Sequence, residues 1–228
     1  MDIILSLYEQ YEFFNISFRK MDNRFDNVQT FRYITKTAYF KLTIAELLPK
    51  LNKIIYLDSD IIVYKDLYNL FNLNFNNNLF LADRIYGAYQ YKNKSLSFNT
   101  GVLLLNLKRM REFNFTEKIE NILNNGFKDT TYFLHDQAII NQYFYDYIGY
   151  LDPGYNSRNS LFELNSEYYI QNKDYKNYIN LINSEKYPYI YHFTGDNKPI
   201  TSIRKNSDDW WYYARKGKYF PKILEHMK

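Results

Sequence analysis

Residues 53–63 read KIIYLDSDIIV, a short β-rich apolar run that contains two aspartates one residue apart. A strand places residues i and i+2 on the same face, so Asp58 and Asp60 can converge on one cation as the strand opens into a loop. Carboxylate oxygens suit hard divalent ions such as Mg²⁺ or Mn²⁺. The pair therefore predicts a metal site, although Asp-x-Asp also marks ordinary turns, caps and strand ends.

The composition limits the class of protein. The chain has 228 residues, 46% of them hydrophobic, which suits one domain of α/β size. The formal net charge is +4, and Lys and Arg are scattered among Asp and Glu, so no clustered basic face indicates nucleic-acid binding. Cysteine is absent, which excludes disulfides, zinc-thiolate clusters and a cysteine nucleophile. No apolar run approaches the roughly 18 residues of a spanning helix, so we expect a cytoplasmic protein.

Apolar spacing predicts helices alternating with strands. A helix over 30–51 leads into the strand 53–57, and a short helix near 67–71 follows the aspartates. The remaining segments are, in order, strand 79–83, strand 102–107, helix 116–124 stopped by Gly126, helix 135–143, strand 189–193 and an aromatic, basic helix 210–224. The segment 157–186, between the helix 135–143 and the strand 189–193, shows no clear hydrophobic period.

This order predicts an α/β fold in which a mostly parallel sheet is flanked by helices on both faces, as a single domain. Ligands bind beyond the carboxyl ends of the strands in such sheets, which is where Asp58, Asp60 and Asp83 fall. We expect the main domain to span 1–200 and an aromatic, basic helical tail to span 201–228.

A second stretch, HFTGDNKP at 192–199, offers an imidazole, a flexible glycine and a cation within one strand-to-loop turn. His192 could complete a metal shell with Asp58 and Asp60, the backbone near Gly195 can approach a diphosphate, and Lys198 can neutralise its charge. Taken alone, a strand-end histidine is more often structural, and Gly-x-x-Lys is usually a turn.

Together these residues resemble the bacterial members of glycosyltransferase family 8, which are retaining, sugar-nucleotide-dependent enzymes of the GT-A fold. Five stretches carry the resemblance in the expected order across nearly the whole chain. They are AELLP at 45–49 running into IYLDSD at 55–60, FNTGVLLLNL at 98–107, HDQ at 135–137, His192-x-x-Gly195-x-x-Lys198-Pro199, and WWYYAR at 210–215.

The resemblance implies that Asp58, Asp60 and His192 bind Mn²⁺ or Mg²⁺, which holds the diphosphate of a UDP-sugar. It implies donor-binding roles for a larger set: Lys41, Asp58, Ser59, Asp60, Asp83, Asn99, Thr100, Asp136, Gln137, His192, Gly195 and Lys198. Each also has a structural alternative. Asp83 could cap a strand end, Asn99 could sit in a turn, and Asp136 could be a first-turn helix acid favoured by the dipole.

The catalytic residues implied by the family are Gln137 and Asp136, with Gln137 near the reacting face of the sugar. A carboxamide is a poor nucleophile, so the double displacement of retaining hydrolases is not indicated. Related enzymes are described as using same-face substitution, in which the leaving phosphate helps to deprotonate the acceptor. The structural alternative for Gln137 is a polar helix residue.

Two features depart from the family pattern. Lys41 stands where the family commonly has Arg. The lysine keeps the positive charge but lacks the planar guanidinium that can donate two parallel hydrogen bonds. The family also opens with a strand and a loop that contact the nucleotide, and we find no counterpart before Met1. Instead, 8–21 resembles a later helix and strand, with Phe14, Ile16 and Phe18 alternating. We therefore expect an N-terminally incomplete catalytic domain.

The leading hypothesis is metal-dependent transfer of glucose or galactose from UDP-glucose or UDP-galactose to a glycan or lipopolysaccharide acceptor. The alternative is an inactive remnant or binding module that keeps the fold. The tail around Trp210, Trp211, Arg215 and Lys216 could contact the inner face of the membrane peripherally, or form a packed amphipathic helix.

Overall fold

The β-strands form around the apolar runs of the central part of the chain. The computed structural model describes residues 15–21, 23–25, 36–91, 94–127, 135–158, 162–195, 198–203, 205–218 and 220–225. The strands in these ranges are β1 (Ile54–Leu57), β2 (Ile61–Val63), β3 (Phe80–Tyr91), β4 (Lys94–Leu105), β5 (Ile148–Tyr150) and β6 (Ile190–His192).

The helices of the same ranges are mostly short. The α-helices are α1 (Ile44–Leu47), α2 (Tyr68–Phe71), α3 (Leu107–Glu112), α4 (Phe115–Asn124), α5 (His135–Tyr143), α6 (Phe162–Gln171), α7 (Tyr175–Lys186), α8 (Ser207–Lys216) and α9 (Phe220–Glu225). Three 3₁₀ helices span Lys36–Thr43, Tyr145–Tyr147 and Pro153–Asn156.

The central sheet has the strand order β1-β4-β3-β5. Strand β4 is antiparallel to both β1 and β3, and β5 is parallel to β3, so three of the four strands run in one direction. Strands β2 and β6 form a separate antiparallel pair. The sheet is therefore mixed, because the predicted strands 79–83 and 102–107 are the two arms of one hairpin.

Both faces of this sheet are buried, as the near-continuous apolar runs predicted. Along β4, Leu103 and Leu105 belong to one hydrophobic cluster with α3, α4 and α5, whereas Val102 and Leu104 belong to another. Successive strand side chains point to opposite faces, so this division places one cluster on each side of the sheet. The α/β prediction with two covered faces is confirmed.

An irregularity in the hairpin shapes the edge of the sheet. Leu103 lies opposite Ala82, but the next pair toward the tip joins Arg84 to Phe98. Four residues of β4, 99–102, therefore stand opposite Asp83 alone. Such bulges bend the strand, increase its twist and leave residues outside the regular ladder, often next to active sites.

Several predicted elements differ from the structure. Within 36–51 the predicted helix is a 3₁₀ helix followed by α1, which ends before Pro49 because a residue preceding proline disfavours helical dihedrals. The predicted terminal helix 210–224 is two helices that break at Gly217. A helix and a strand were predicted over 8–21. Residues 8–14 of this segment lie outside the described residues, and residues 15–21 form no strand.

The segment 157–186, which had no clear period, contains the helices α6 and α7. Three apolar side chains at helical spacing in α7, those of Tyr175, Ile179 and Ile182, are exposed. Because apolar residues occur on both the exposed and the packed sides, the sequence shows no single amphipathic stripe.

Two compact units divide the chain. One comprises 25–198 and contains the sheet, β2, β6 and helices α1 to α7. The other comprises 1–24 with 199–228, and its described part includes α8 and α9. The domain division predicted after residue 200 stays a prediction. Among the described residues, no helix has the length and apolar character needed to cross a bilayer.

Candidate functional site

The loop after β1 carries Asp58 and Asp60 at the carboxyl edge of the sheet. The Asp58 N–H donates to the Gly101 carbonyl at 2.8 Å, which ties the loop to the bulge in β4. The Tyr56 hydroxyl donates to Asp58 Oδ1 at 2.7 Å and orients this carboxylate. Burial raises the pKa of Tyr56 above its ordinary value, so the hydroxyl keeps its proton. Ser59 is exposed between the two aspartates.

The pairing of β2 with β6 brings His192 to these aspartates. Ile61 lies opposite His192, and the Phe193 N–H donates to the Asp60 carbonyl at 2.9 Å. His192 Nε2 lies 3.2 Å from Asp60 Oδ1 and 3.7 Å from Asp58 Oδ2. The structure therefore brings together the three residues that the sequence predicted as metal ligands, with ligand atoms within 4.8 Å of one another.

These three residues fit a divalent metal ion. His192 Nδ1 lies 2.9 Å from Asn156 Oδ1, so a neutral ring that donates from Nδ1 presents a lone pair at Nε2. Two carboxylates and this lone pair repel one another unless a proton or a cation lies among them. Oxygen and imidazole donors are ligands that Mg²⁺ and Mn²⁺ accept.

Gly101 leaves the space in which the ligands meet. A Cβ atom at this position would lie 2.0 Å from His192 Cε1, 2.7 Å from His192 Nδ1 and 2.8 Å from Asp58 Oδ2. Any side chain there would displace the imidazole or the carboxylate. The glycine at position 101 of β4 is therefore a steric requirement of the cluster.

Lys198 contacts the outer side of the cluster. Its ammonium donates to Asp60 Oδ2 and, at 2.7 Å, to the Phe193 carbonyl. Burial alone would raise the pKa of Asp60. Lys198, together with His192 when its ring carries a proton on Nε2, outweighs burial and holds that pKa well below its usual range. Gly195 has φ +83°, a conformation that glycine adopts without strain, and open space where a Cβ would be.

Lys41 lies on the inner side, 6% exposed, between two carboxylates. Its Nζ is 2.9 Å from Asp136 Oδ2 and 3.5 Å from Asp58 Oδ1, and it donates to the Thr100 carbonyl at 3.1 Å. Burial alone would lower the pKa of Lys41, but Asp136 and Asp58 hold it above its ordinary value. Lys41 is therefore a permanent cation that joins the metal-ligand candidates to Asp136.

The bulge in β4 faces the first turn of α5. The Thr100 hydroxyl donates to Asp136 Oδ2 at 2.9 Å, and the Thr100 N–H donates to Gln137 Oε1 at 3.2 Å. Asn99 Nδ2 also donates to Gln137 Oε1 at 3.2 Å. Four of the predicted donor-binding residues thus form one hydrogen-bonded group.

Asp83 stands opposite the bulge and is paired with Arg158. Arg158 Nη1 lies 2.7 Å from Asp83 Oδ2, and both side chains are about 5% exposed or less. Burial raises the pKa of Asp83 to about 6, although Arg158 opposes the shift. Near neutral pH the pair is therefore mainly an ion pair, which holds the carboxylate in place.

Sequence reasoning missed four polar residues that position this group: Tyr56, Asn141, Asn156 and Arg158. Asn156 and Arg158 lie just after the Asp152-Pro153-Gly154 turn, yet they are 1% and 7% exposed. Their spacing at i and i+2 repeats that of Asp58 and Asp60, which was an available signal. Asn141 is one helical turn after Gln137, on the same face of α5.

Comparison with known proteins identifies the class of protein that this fold and site define. The fold is that of the GT-A glycosyltransferases. The crystal structure of the galactosyltransferase LgtC in complex with donor and acceptor sugar analogues superposes with a TM-score of 0.72, at 22% identity, over 90% of this chain and 76% of that one.

The profile of glycosyl transferase family 8 matches residues 2–203, so the chain belongs to this family. It is 27% identical over 215 residues to general stress protein A of Bacillus subtilis, covering 87% of this chain and 72% of that protein. It is 30% identical over 175 residues to the lipopolysaccharide 1,2-glucosyltransferase of Escherichia coli, covering 72% of this chain and 49% of the enzyme. The chain spans 24% to 44% of several further curated relatives.

Proposed function

We propose that this chain transfers a hexose, glucose or galactose, from a UDP-sugar with retention at the anomeric carbon. The observation that carries the proposal is the convergence of Asp58, Asp60 and His192 beside Lys198. Family membership supports sugar transfer, and relatives named as a glucosyltransferase and a galactosyltransferase support a hexose.

Asp58, Asp60 and His192 would hold Mn²⁺ or Mg²⁺. When bound, the ion supplies positive charge that stabilises the diphosphate leaving group. Lys198, already paired with Asp60, supplies a second positive charge at the same place. The positive φ of Gly195 leaves room for a phosphate oxygen to approach its backbone.

The donor sugar would lie against Asp83, Asn99, Thr100, Asp136 and Gln137. These groups need fixed positions rather than acid or base strength, because their task is to orient the sugar. Arg158 fixes Asp83, and Lys41 fixes Asp136, through buried ion pairs. Sugar hydroxyls that replace these internal hydrogen bonds would meet preorganised partners.

The reaction that suits this group is same-face substitution. The Gln137 carboxamide is a poor nucleophile, and it already accepts two hydrogen bonds at Oε1. The acceptor oxygen bonds to the anomeric carbon as the bond to the phosphate oxygen breaks, and the acceptor proton passes to that phosphate oxygen. Gln137 and Asp136 act at this face by orienting the sugar.

The acceptor that we propose is a glycan or lipopolysaccharide, in keeping with the E. coli relative.

Helix α8 carries exposed Tyr212 and Tyr213 beside exposed Arg215 and Lys216, which suits peripheral contact with an anionic membrane. We expect the chain to cosediment with anionic vesicles at low salt. This binding should be lost at high salt and in the variant Arg215→Glu/Lys216→Glu. Equal binding to neutral vesicles would exclude it.

The test of the function is release of UDP from UDP-glucose and UDP-galactose, with Mn²⁺, Mg²⁺ or chelator. We expect metal-dependent release that is lost in Asp58→Asn/Asp60→Asn and kept in the exposed control Asp208→Asn/Asp209→Asn. Nuclear magnetic resonance of the product should show the donor's anomeric configuration. Metal-independent release would contradict the proposal, and UDP binding without transfer would support the binding-module alternative.

A further inference from the structure

A chain of side-chain amides crosses the site from α5 to β6. Gln137 Oε1 accepts from Asn99 Nδ2 at 3.2 Å, and Asn99 Oδ1 accepts from Asn156 Nδ2 at 2.8 Å. Asn156 Oδ1 lies 2.9 Å from His192 Nδ1. The side chain that faces the sugar position and the side chain that faces the aspartates are therefore linked through two asparagines.

Two backbone groups set the direction of this chain. The Thr100 N–H donates to Gln137 Oε1 at 3.2 Å, and the Gly101 N–H donates to Asn99 Oδ1 at 3.0 Å. Since a backbone N–H can only donate, the atoms facing it must be carbonyl oxygens. Asn99 Oδ1 therefore also faces Asn156, which must donate to it from its NH₂ group.

Asn156 therefore has only its oxygen left for His192. An amide oxygen can only accept, so His192 Nδ1 must carry a hydrogen. In the neutral imidazole the lone pair is then on Nε2, the atom that faces Asp58 and Asp60. The opposite tautomer would place a hydrogen on Nε2, where the carboxylates would accept it and a metal ion could not bind.

We propose that Asn156 is a positioning residue that fixes the His192 tautomer for metal ligation and couples this imidazole to Gln137. The inference rests on the proposed role of His192 as a metal ligand. Asn156 is 1% exposed, so water does not compete for its two hydrogen bonds. A metal-ligating histidine usually donates its other ring nitrogen to a neighbouring group, and such partners affect metal affinity by about 10- to 100-fold.

The first readout is the protonated nitrogen of His192, observed by long-range ¹H–¹⁵N spectra of ¹⁵N-histidine protein without metal, at the alkaline end of a pH titration. The chain has only three histidines, and His192→Gln assigns the signal. We expect a hydrogen on Nδ1 in the wild type and a shift toward Nε2 in Asn156→Leu. An unchanged Nδ1 hydrogen in folded Asn156→Leu would overturn the proposal.

The second variant, Asn156→Asp, keeps an acceptor for His192 and removes the donor to Asn99. We expect it to keep the hydrogen on Nδ1 and to bind Mn²⁺ within about threefold of the wild type by calorimetry, whereas Asn156→Leu loses at least about tenfold. If Asn156→Leu does not fold, a hydrogen on Nε2 in Asn156→Asp overturns the tautomer role by itself.

The coupling to Gln137 has its own readout. Removal of the donor to Asn99 in Asn156→Asp should weaken binding of UDP-glucose or UDP-galactose relative to UDP, and equal losses for UDP and the UDP-sugars would overturn the coupling. A wild type that shows the Asn156-dependent tautomer and binds no Mn²⁺ would refute metal ligation while leaving the positioning intact. If the wild type binds Mn²⁺ but the His192 tautomer does not depend on Asn156, metal ligation would be supported and the positioning role of Asn156 would be refuted.

Discussion

At the scale of single residues, Gly101 decides whether the metal-ligand candidates can meet. The imidazole of His192 and the carboxylate of Asp58, from the loop after β1, both occupy the space that a Cβ atom at this position would need. Neither side chain can retreat far, because His192 is held by Asn156 and Asp58 is held by Tyr56. The cluster therefore depends on the missing side chain as much as on its ligands.

We predict that Gly101→Ala lowers Mn²⁺ affinity by at least about tenfold, as measured by calorimetry, because the added methyl group displaces a ligand. Gly126→Ala is the matched control. It introduces strain at φ +77° with no atom within 4 Å of the new Cβ, so it should cost about 1 kcal/mol of stability and leave Mn²⁺ affinity unchanged. A folded Gly101→Ala protein with wild-type affinity would contradict the geometry.

Asp83 gives the molecule a pH dependence whose sign follows from its raised pKa. Burial raises the pKa of Asp83 to about 6 in the folded protein, whereas the exposed carboxyl group of an unfolded chain keeps the ordinary pKa of 3.8. Between these values the folded protein holds a proton that the unfolded chain has released. Stability therefore falls as pH rises from about 4 to 6.

We predict that the ionisation of Asp83 lowers the unfolding free energy by about 3 kcal/mol as the pH rises from about 4 to 6, since each pKa unit corresponds to about 1.4 kcal/mol. Urea unfolding from pH 4 to 7 should show a shallower decline in Asp83→Asn than in the wild type. Exposed Asp146→Asn is the control and should follow the wild-type curve. Parallel curves for Asp83→Asn and the wild type would refute the raised pKa.

At the scale of elements, the contact between α5 and β4 holds in register the residues that we propose to face the donor sugar. Asn141 Oδ1 accepts from the Phe98 N–H at 2.6 Å, and Asn141 Nδ2 donates to the Phe98 carbonyl at 2.9 Å. The side chain thus replaces a strand partner just where the bulge begins. It fixes α5, and with it Asp136 and Gln137, against the irregular part of β4.

Replacing Asn141 by Ala should cost about 3 kcal/mol of unfolding free energy, because it leaves the buried N–H and C=O of Phe98 without this partner. Urea denaturation measures the loss. Asn172→Ala, which removes an exposed hydrogen bond to the Tyr168 carbonyl, is the matched change and should cost less than about 0.5 kcal/mol. Similar losses in the two variants would show that Asn141 is not a structural link.

The sequence predicted the elements whose apolar pattern is strong. The runs at 54–57 and 102–105 form strands, and helices α4 and α5 lie within two residues of their predicted positions. The antiparallel direction of β4 was missed, because residues 84–98 extend both strands without a marked apolar pattern. Helices α6 and α7 were missed since exposed apolar side chains in α7 obscure the amphipathic period.

For the site, the sequence predicted the charged and amide residues that the structure brings together, but not those that position them. Motif spacing identifies Asp58, Asp60 and His192, because their chemistry is evident in the residue type. Asn156 and Arg158 act through contacts across 57 and 74 positions of the chain, with Asn99 and Arg84. Only the folded packing of β6, the Pro153–Asn156 3₁₀ helix and the hairpin reveals them.

At the scale of the whole molecule, the two central features are the mixed sheet and the β2–β6 pair. The sheet supplies Asp83 and the bulge 99–102, the loop after β1 supplies Asp58, and the pair supplies His192 next to Asp60. The first turn of α5 closes the group with Asp136 and Gln137. We propose that these elements form one site for the diphosphate of a UDP-sugar and its metal ion.

Calorimetric titration of the chain with UDP, in the presence and absence of Mn²⁺, measures whether this site binds the diphosphate through a metal ion. We predict binding that requires Mn²⁺ and disappears in Asp58→Asn/Asp60→Asn, with the fold of the variant verified by circular dichroism. The control Asp208→Asn/Asp209→Asn should bind as the wild type does. A folded wild-type chain that binds no UDP, or binds it equally well without Mn²⁺ and in the double variant, would show that Asp58 and Asp60 do not form such a site.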